Sequence, residues 1–254
     1  MESIYIAQPL SLGDYFVCNA LVLDQIDNYQ QIHLPVVPQF IDTVKSLYQD
    51  HMTIRIVPYL GDLAEQDYIQ ANNLPILDWR FSPQTCNMVL PGDGERVSIA
   101  VNYDRQIYEQ NDCSFKKRYS GFRLPEHIPH SQDLFNKLNP TQEPYVLWHK
   151  YTSKHVGGMP IGLPGWRLAA GLPDKKIINV ELGQTTNMLD YMKLIINADE
   201  IHCVHSSFYQ LVDSVCNQTQ AHLFYHDYRK DTINQINCRW NNQRWIRVEY
   251  LIKI

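Results

Sequence analysis

EIHCVHSSFYQLVDSV, residues 200–215, is the stretch whose reading decides the fold. The apolar strand pattern EIHCVH runs directly into Ser206-Ser207. Phe208, Leu211, Val212 and Val215 then fall on one face at helical spacing. A strand that turns straight into an amphipathic helix is half of a βαβ unit, and open parallel sheets bind ligands outside the carboxyl ends of their strands. Ser206 has two readings. It caps the helix, or, with the free N–H groups and the dipole of the first turn, it holds an anion such as a diphosphate. The turn lacks the glycines of a dinucleotide fingerprint, and no G-x-x-x-x-G-K-[ST] loop occurs, so nicotinamide and P-loop chemistry lose ground.

The same pattern surrounds this stretch. PYVLWHK (144–150), KIINVEL (176–182) and AHLFYH (221–226) read as strands, and NMLDYMKLIINA (187–198) as a helix. Between them lies YTSKHVGGMPIGLPGWRLAAGLPDKK, which holds five of the chain's 11 glycines. A Gly-rich loop of this length in a compact domain reads as functional or mobile. The first half runs parallel to the second. SIYIAQ, QIHLPV and MTIRIVPY read as strands, with helices over 14–26 and in PQFIDTVKSLYQDH, where Pro38 sits near the start. This β-α-β-α-β order implies a parallel sheet with helices on its faces. FSPQTCNMVLPGDGERVS reads as a loop or hairpin, 104–111 as a short helix, and HSQDLFNKL as another, bracketed by prolines. The domain junction is expected near residue 140, giving an N-terminal domain 1–140 and a C-terminal domain 141–254, each Rossmann-like α/β.

Composition narrows the function. With 44% hydrophobic and 19% charged residues the chain is an ordinary globular one, and a net charge of -5 without a basic block argues against nucleic-acid binding. No apolar run reaches the length of a membrane span, and MESIYIAQPL reads as a first strand rather than a leader. Six cysteines, none in C-x-x-C spacing, suit free thiols in a reducing cytoplasm. Cys18 and Cys203 lie in apolar runs and read as core residues.

LSLGDYFVCNALV (10–22) places Gly13-Asp14 where the first strand becomes a helix. Asp14 is either a helix N-cap or a carboxylate that takes a proton from an attacking hydroxyl. His149 and His205 each follow an apolar strand. Either is a satisfied polar residue or a hydrogen-bonding partner for phosphate or ribose. Lys150, Lys154 and Arg167 are cationic candidates for an anionic ligand, against surface solvation. Asn187 is an N-cap that also has reach toward a donor base or ribose. Lys117 and Arg118, in KKRYSGF, are candidates for an anionic acceptor or for a solvated basic loop. Tyr103, Tyr108 and Tyr119 line an acceptor cleft or fill core.

LSLGDYFVCNALV resembles the N-terminal motif of the ADP-heptose:lipopolysaccharide heptosyltransferase family. IHCVHSSFYQLVD resembles that family's donor-binding strand-turn-helix. NMLDYMKLIINADEIHCVHSSF and YDRQIYEQNDCSFKKRY are similar to a group of small glycosyltransferase-like proteins. The resemblance implies a shortened GT-B fold, two Rossmann-like domains facing across a cleft. The acceptor would bind the N-terminal domain, and the nucleotide-diphospho-sugar donor the C-terminal one. It implies Asp14 as general base in an inverting transfer to a glycan or other hydroxyl acceptor. Ser206 and Ser207 would lie on the donor phosphates, with Gly13 also on the donor side. The family has an acidic residue, a small hydroxyl residue and Gly at the donor turn, followed by His. This chain has His205-Ser206-Ser207-Phe208. No D-x-D occurs, so metal-independent transfer without a cofactor is expected. Leaving-group charge would then fall to cations, hydroxyls and helix dipoles. Two rivals remain: a catalytically inactive nucleotide- or sugar-binding protein of the same fold, and a hydrolase or phosphatase, which the absence of G-x-S-x-G weakens.

Overall fold

The computed structural model describes residues 2–80, 103–151, 170, 172–181, 183–227 and 244–249. The chain divides into two compact units, Met1–His127 and Ile128–Ile254. The division falls before the junction near 140 read from the sequence, and helix α6 (Ser131–Leu138) explains why. Its Ser131 Oγ accepts the Lys193 N–H at 2.7 Å, and Phe135 meets Tyr145 edge-on at 6.4 Å. Those contacts tie α6 to the second unit.

The first unit is a parallel sheet in the order β3-β2-β1-β4, built from β1 (Ser3–Ala7), β2 (Gln31–Val36), β3 (Ile54–Pro58) and β4 (Ile76–Asp78). Ile4, Ile32 and Ile54 stand side by side across it. Helix α1 (Leu12–Leu23) is buried on nearly every side, so it carries no polar stripe and its sequence is apolar all round. It starts two residues before the expected 14–26. Ser11 is the N-cap, and Asp14 is the third helical residue rather than the cap itself. The expected long helix after β2 is a 3-10 turn at Pro38–Phe40 leading into α2 (Ile41–Leu47). Helices α3 (Asp62–Ala71), α4 (Tyr103–Glu109) and α5 (Lys117–Ser120) complete the described elements of this unit. Tyr108 in α4 donates to the Val17 carbonyl at 2.8 Å, which ties α4 to α1. At Gly121, just past α5, a Cβ would stand 2.9 Å from both the Ala20 Cβ and the Lys117 carbonyl oxygen. Only glycine allows that approach to α1.

The second unit repeats the scheme with strand order β6-β5-β7-β8-β9, all parallel: β5 (Tyr145–His149), β6 (Lys176–Asn179), β7 (Glu200–Cys203), β8 (His222–Asp227) and β9 (Trp245–Glu249). Ile178, Leu147, Ile201, Leu223 and Trp245 form one buried row across all five strands. Helices α7 (Met192–Asn197) and α8 (Ser207–Ser214) pack on that face. Tyr145 Oη donates to the Leu194 carbonyl at 2.7 Å, and Tyr209 packs on Tyr225 with ring centres 5.1 Å apart. The expected helix 187–198 is a 3-10 turn (Met188–Tyr191) followed by α7. The other face carries Trp148, His202 and His226. His202 Nδ1 lies 2.7 Å from His226 Nε2, and His202 Nε2 lies 3.3 Å from Glu200. Residues 81–98, read from the sequence as a loop or hairpin, and most of the Gly-rich loop, with Lys154 and Arg167, lie outside the described residues. Among the described residues no helix is long and apolar enough to cross a membrane.

Candidate functional site

Parallel sheets point their strand carboxyl ends at one edge, and in each unit that edge gathers sequence-selected residues. In the second unit β5, β6 and β7 end side by side. After β5 come Lys150 and Tyr151, after β6 Glu181, and after β7 the His205-Ser206-Ser207 turn.

Ser206 is the N-cap of α8, in extended backbone, and its Oγ accepts the Tyr209 N–H at 3.1 Å. It also donates to the Val204 carbonyl at 3.1 Å and lies 3.2 Å from His149 Nδ1. The capping reading is therefore realised. Of the four first-turn N–H groups that the helix cannot satisfy internally, that of Tyr209 goes to Ser206 Oγ, and those of Ser207 and Phe208 follow the cap directly. They and the dipole are the anion-facing part of the turn. His149, only 6% exposed, stacks on Phe208 with ring centres 4.9 Å apart and planes 20° apart. Burial lowers its pKa to about 4, so it is a neutral imidazole at pH 7.

Glu181 was not singled out from sequence, although it follows an apolar strand as His149 does. Its carboxylate accepts the Tyr151 hydroxyl and lies 3.8 Å from Lys150 Nζ, which in turn sits 5.2 Å from the centre of the Tyr151 ring. A Glu, a Lys and a Tyr thus meet at the strand edge beside His149. Asn187 caps the 3-10 turn, its Oδ1 accepting the Leu189 N–H at 3.0 Å. The His205 ring lies 6.0 Å from that of Tyr209, and Ser207 is half-buried at the first helical position.

In the first unit Asp14 is 6% exposed, and its Oδ2 accepts the Ser11 N–H at 2.8 Å, closing half of a capping box. Gly13 is buried in the same helical turn. At the end of β4, Arg80 is clamped between Asp78 (Nη2–Oδ2 2.9 Å) and Glu65 (Nη1–Oε2 3.0 Å), and Tyr5 Oη donates to Glu65 at 2.9 Å. Sequence reasoning missed this network because its members are 60 and 15 positions apart. Lys117 pairs with Asp24. Arg118 is 2% exposed, pairs with buried Asp104, and lies 5.1 Å from the Tyr119 ring centre. Arg118 is therefore not the solvated loop side chain considered from sequence, whereas Lys117, though paired, keeps a partly exposed side chain on the short helix α5. Tyr108 is core; the Tyr103 side chain lies outside the described residues. A hollow of about 440 Å³, lined by Gln31, His33, Arg55, Asn72 and others, opens at the opposite, amino end of this sheet.

No family model matches the chain, and no curated protein matches it. Solved structures do. The E. coli ADP-heptose LPS heptosyltransferase II superposes with a TM-score of 0.51 at 11% identity, over 99% of this chain and 91% of that one. The family 9 glycosyltransferase of Veillonella parvula superposes with a TM-score of 0.52 at 10% identity, over 88% and 80%. The chain shares their fold. At this identity the likeness concerns the backbone, and the side chains must argue function for themselves.

Proposed function

We infer that the chain is a glycosyltransferase that moves a sugar from a nucleotide-diphospho-sugar to a hydroxyl of a glycan-type acceptor. The observation that carries the reading is the β5–β6–β7 edge. A capped helix N-terminus, a neutral His149 and Lys150 meet there with Glu181. Each is suited to one part of such a donor. The Ser207 and Phe208 N–H groups and Lys150 would face the diphosphate, where negative charge grows as the glycosyl bond breaks. Glu181 holds Lys150 and Tyr151 near that position, and its carboxylate is of the type that accepts hydroxyl protons. His205, Asn187 and Lys154 complete the proposed donor set. The backbone likeness to a heptosyltransferase and to a family 9 enzyme supports this reading over a hydrolase.

Transfer would follow an inverting, metal-independent course. Asp14 would take the proton of the acceptor hydroxyl as it attacks the anomeric carbon. Lys117 is the proposed acceptor contact. Arg118, buried and paired with Asp104, would anchor the helix α5 that carries Lys117. Closure over the donor would limit hydrolysis by water. The test is transfer from a panel of nucleotide sugars by wild type and Asp14→Asn. The reading expects product from one donor, insensitive to EDTA, and a loss of at least about a hundredfold in kcat for the variant. A second reading, a binding protein without turnover, is favoured by the burial of Asp14 and its bond to the Ser11 N–H. Donor binding with neither transfer nor hydrolysis would select it.

A further inference from the structure

Gln8 follows β1 directly and is fully buried, yet among the described residues neither its Oε1 nor its Nε2 has a hydrogen-bond partner. Burying an amide with both functions unmade is unfavourable, and native proteins keep such groups rare. Its place is specific. Ala7 and Asp78 are the last paired residues of the β1–β4 ladder, and the Trp79 N–H donates to the Ala7 carbonyl at 2.6 Å. Gln8 is therefore the first residue beyond the ladder. It lies at the carboxyl edge of a central strand, between the turn that carries Asp14 and the segment that carries Arg80. An apolar side chain would fill the position at lower cost, and no group among the described residues takes the amide. The chemistry that satisfies it is a group that donates and accepts at once.

We propose that Gln8 is a specificity-determining residue for the acceptor, its amide taking one sugar hydroxyl beside the hydroxyl that Asp14 activates. The Nε2–H would donate to the hydroxyl oxygen, and Oε1 would accept from a hydroxyl proton. A side chain lacking either function would not discriminate a sugar from an apolar ligand, since rejection comes from polar groups left unpaired. The proposal rests on the glycosyltransferase reading.

The test uses the full chain and Gln8→Met, which keeps the length and removes the amide. Because no protein bond is lost, the melting temperature should hold or rise. Acceptor kcat/KM should fall by about ten- to a hundredfold, the scale of one or two hydrogen bonds, with nucleotide binding unchanged. A second readout needs no turnover. The Gln8 side-chain amide resonance of the wild type is followed while methyl glycosides are added to high millimolar concentration, and it should shift saturably with at least one of them. Absence of transfer by the wild type with a shifting amide would sink the glycosyltransferase reading and leave a sugar contact at Gln8. An amide that no glycoside shifts overturns the proposal. So does a Gln8→Met protein that melts several degrees lower with acceptor kinetics intact, because the amide would then serve the fold through a buried water.

Discussion

His149→Phe should invert the order of stability between pH 7 and pH 5. His149 is buried, stacked on Phe208 and 3.2 Å from Ser206 Oγ, and burial lowers its pKa to about 4. In the unfolded chain it titrates near the ordinary value of about 6.5. Between those two values the unfolded state binds more protons than the folded one, so stability falls as the pH falls. The loss begins near pH 6.5 and is complete near pH 4, where 2.5 units at about 1.4 kcal/mol each give about 3 kcal/mol in all. At pH 5 the share already lost is about 2 kcal/mol. Phenylalanine keeps the ring against Phe208 but gives up the bond to Ser206, at a cost of about 1 kcal/mol. The variant should therefore be less stable than wild type by about 1 kcal/mol at pH 7 and more stable by about 1 kcal/mol at pH 5. Urea denaturation at the two pH values measures both differences, and the carboxylate titrations common to both proteins cancel. Parallel stability–pH curves for the two proteins would refute the reasoning.

Ser206→Ala removes the N-cap that holds Tyr209 N–H; it should cost about 1 kcal/mol in denaturation and weaken nucleotide binding by disordering the first turn of α8. Arg118→Ala leaves Asp104 buried without its charged partner, and a loss of about 3–5 kcal/mol is expected in the same assay. Gly121→Ala forces a methyl to within 2.9 Å of the Lys117 carbonyl and Ala20; calorimetry should show a destabilisation of about 1–3 kcal/mol.

Much of the fold could be read from strand runs that end in a cap. SIYIAQ, QIHLPV and EIHCVH are short, apolar and followed by helices, PYVLWHK is equally apolar, and each is a strand of a parallel sheet. The elements that escaped lack such contrast. Helix α3 has Glu65 as its one buried residue and has no apolar stripe to betray it. β4 is three residues long and borrows its stability from β1. The start of α1 was misjudged because Gly13 is a poor helix former and marks a turn more often than a first helical turn. Ser11 is the cap, and S-x-x-D is the signature that decides it. At the site, His149, Lys150 and Ser206 were visible as strand-end residues, and the structure brings His149 and Ser206 into contact. Glu181 occupied an equivalent position and was passed over as part of a strand. Gln8 and Arg80 were invisible for another reason: their meaning lies in a missing partner and in partners distant in sequence.

The central claim is a diphosphate site at the carboxyl edge of the second sheet. Its most direct test is thermal unfolding of wild type and Ser206→Ala with UDP, GDP, ADP, CDP and dTDP, each with and without EDTA. The account predicts that one nucleotide stabilises the wild type, by about 2.7 kcal/mol at a hundred times its Kd. That shift should be indifferent to EDTA and reduced in the variant. If none of the five moves the unfolding of the wild type, the edge formed by His149, Lys150, Glu181 and Ser206 is not a donor site, and the claim is contradicted.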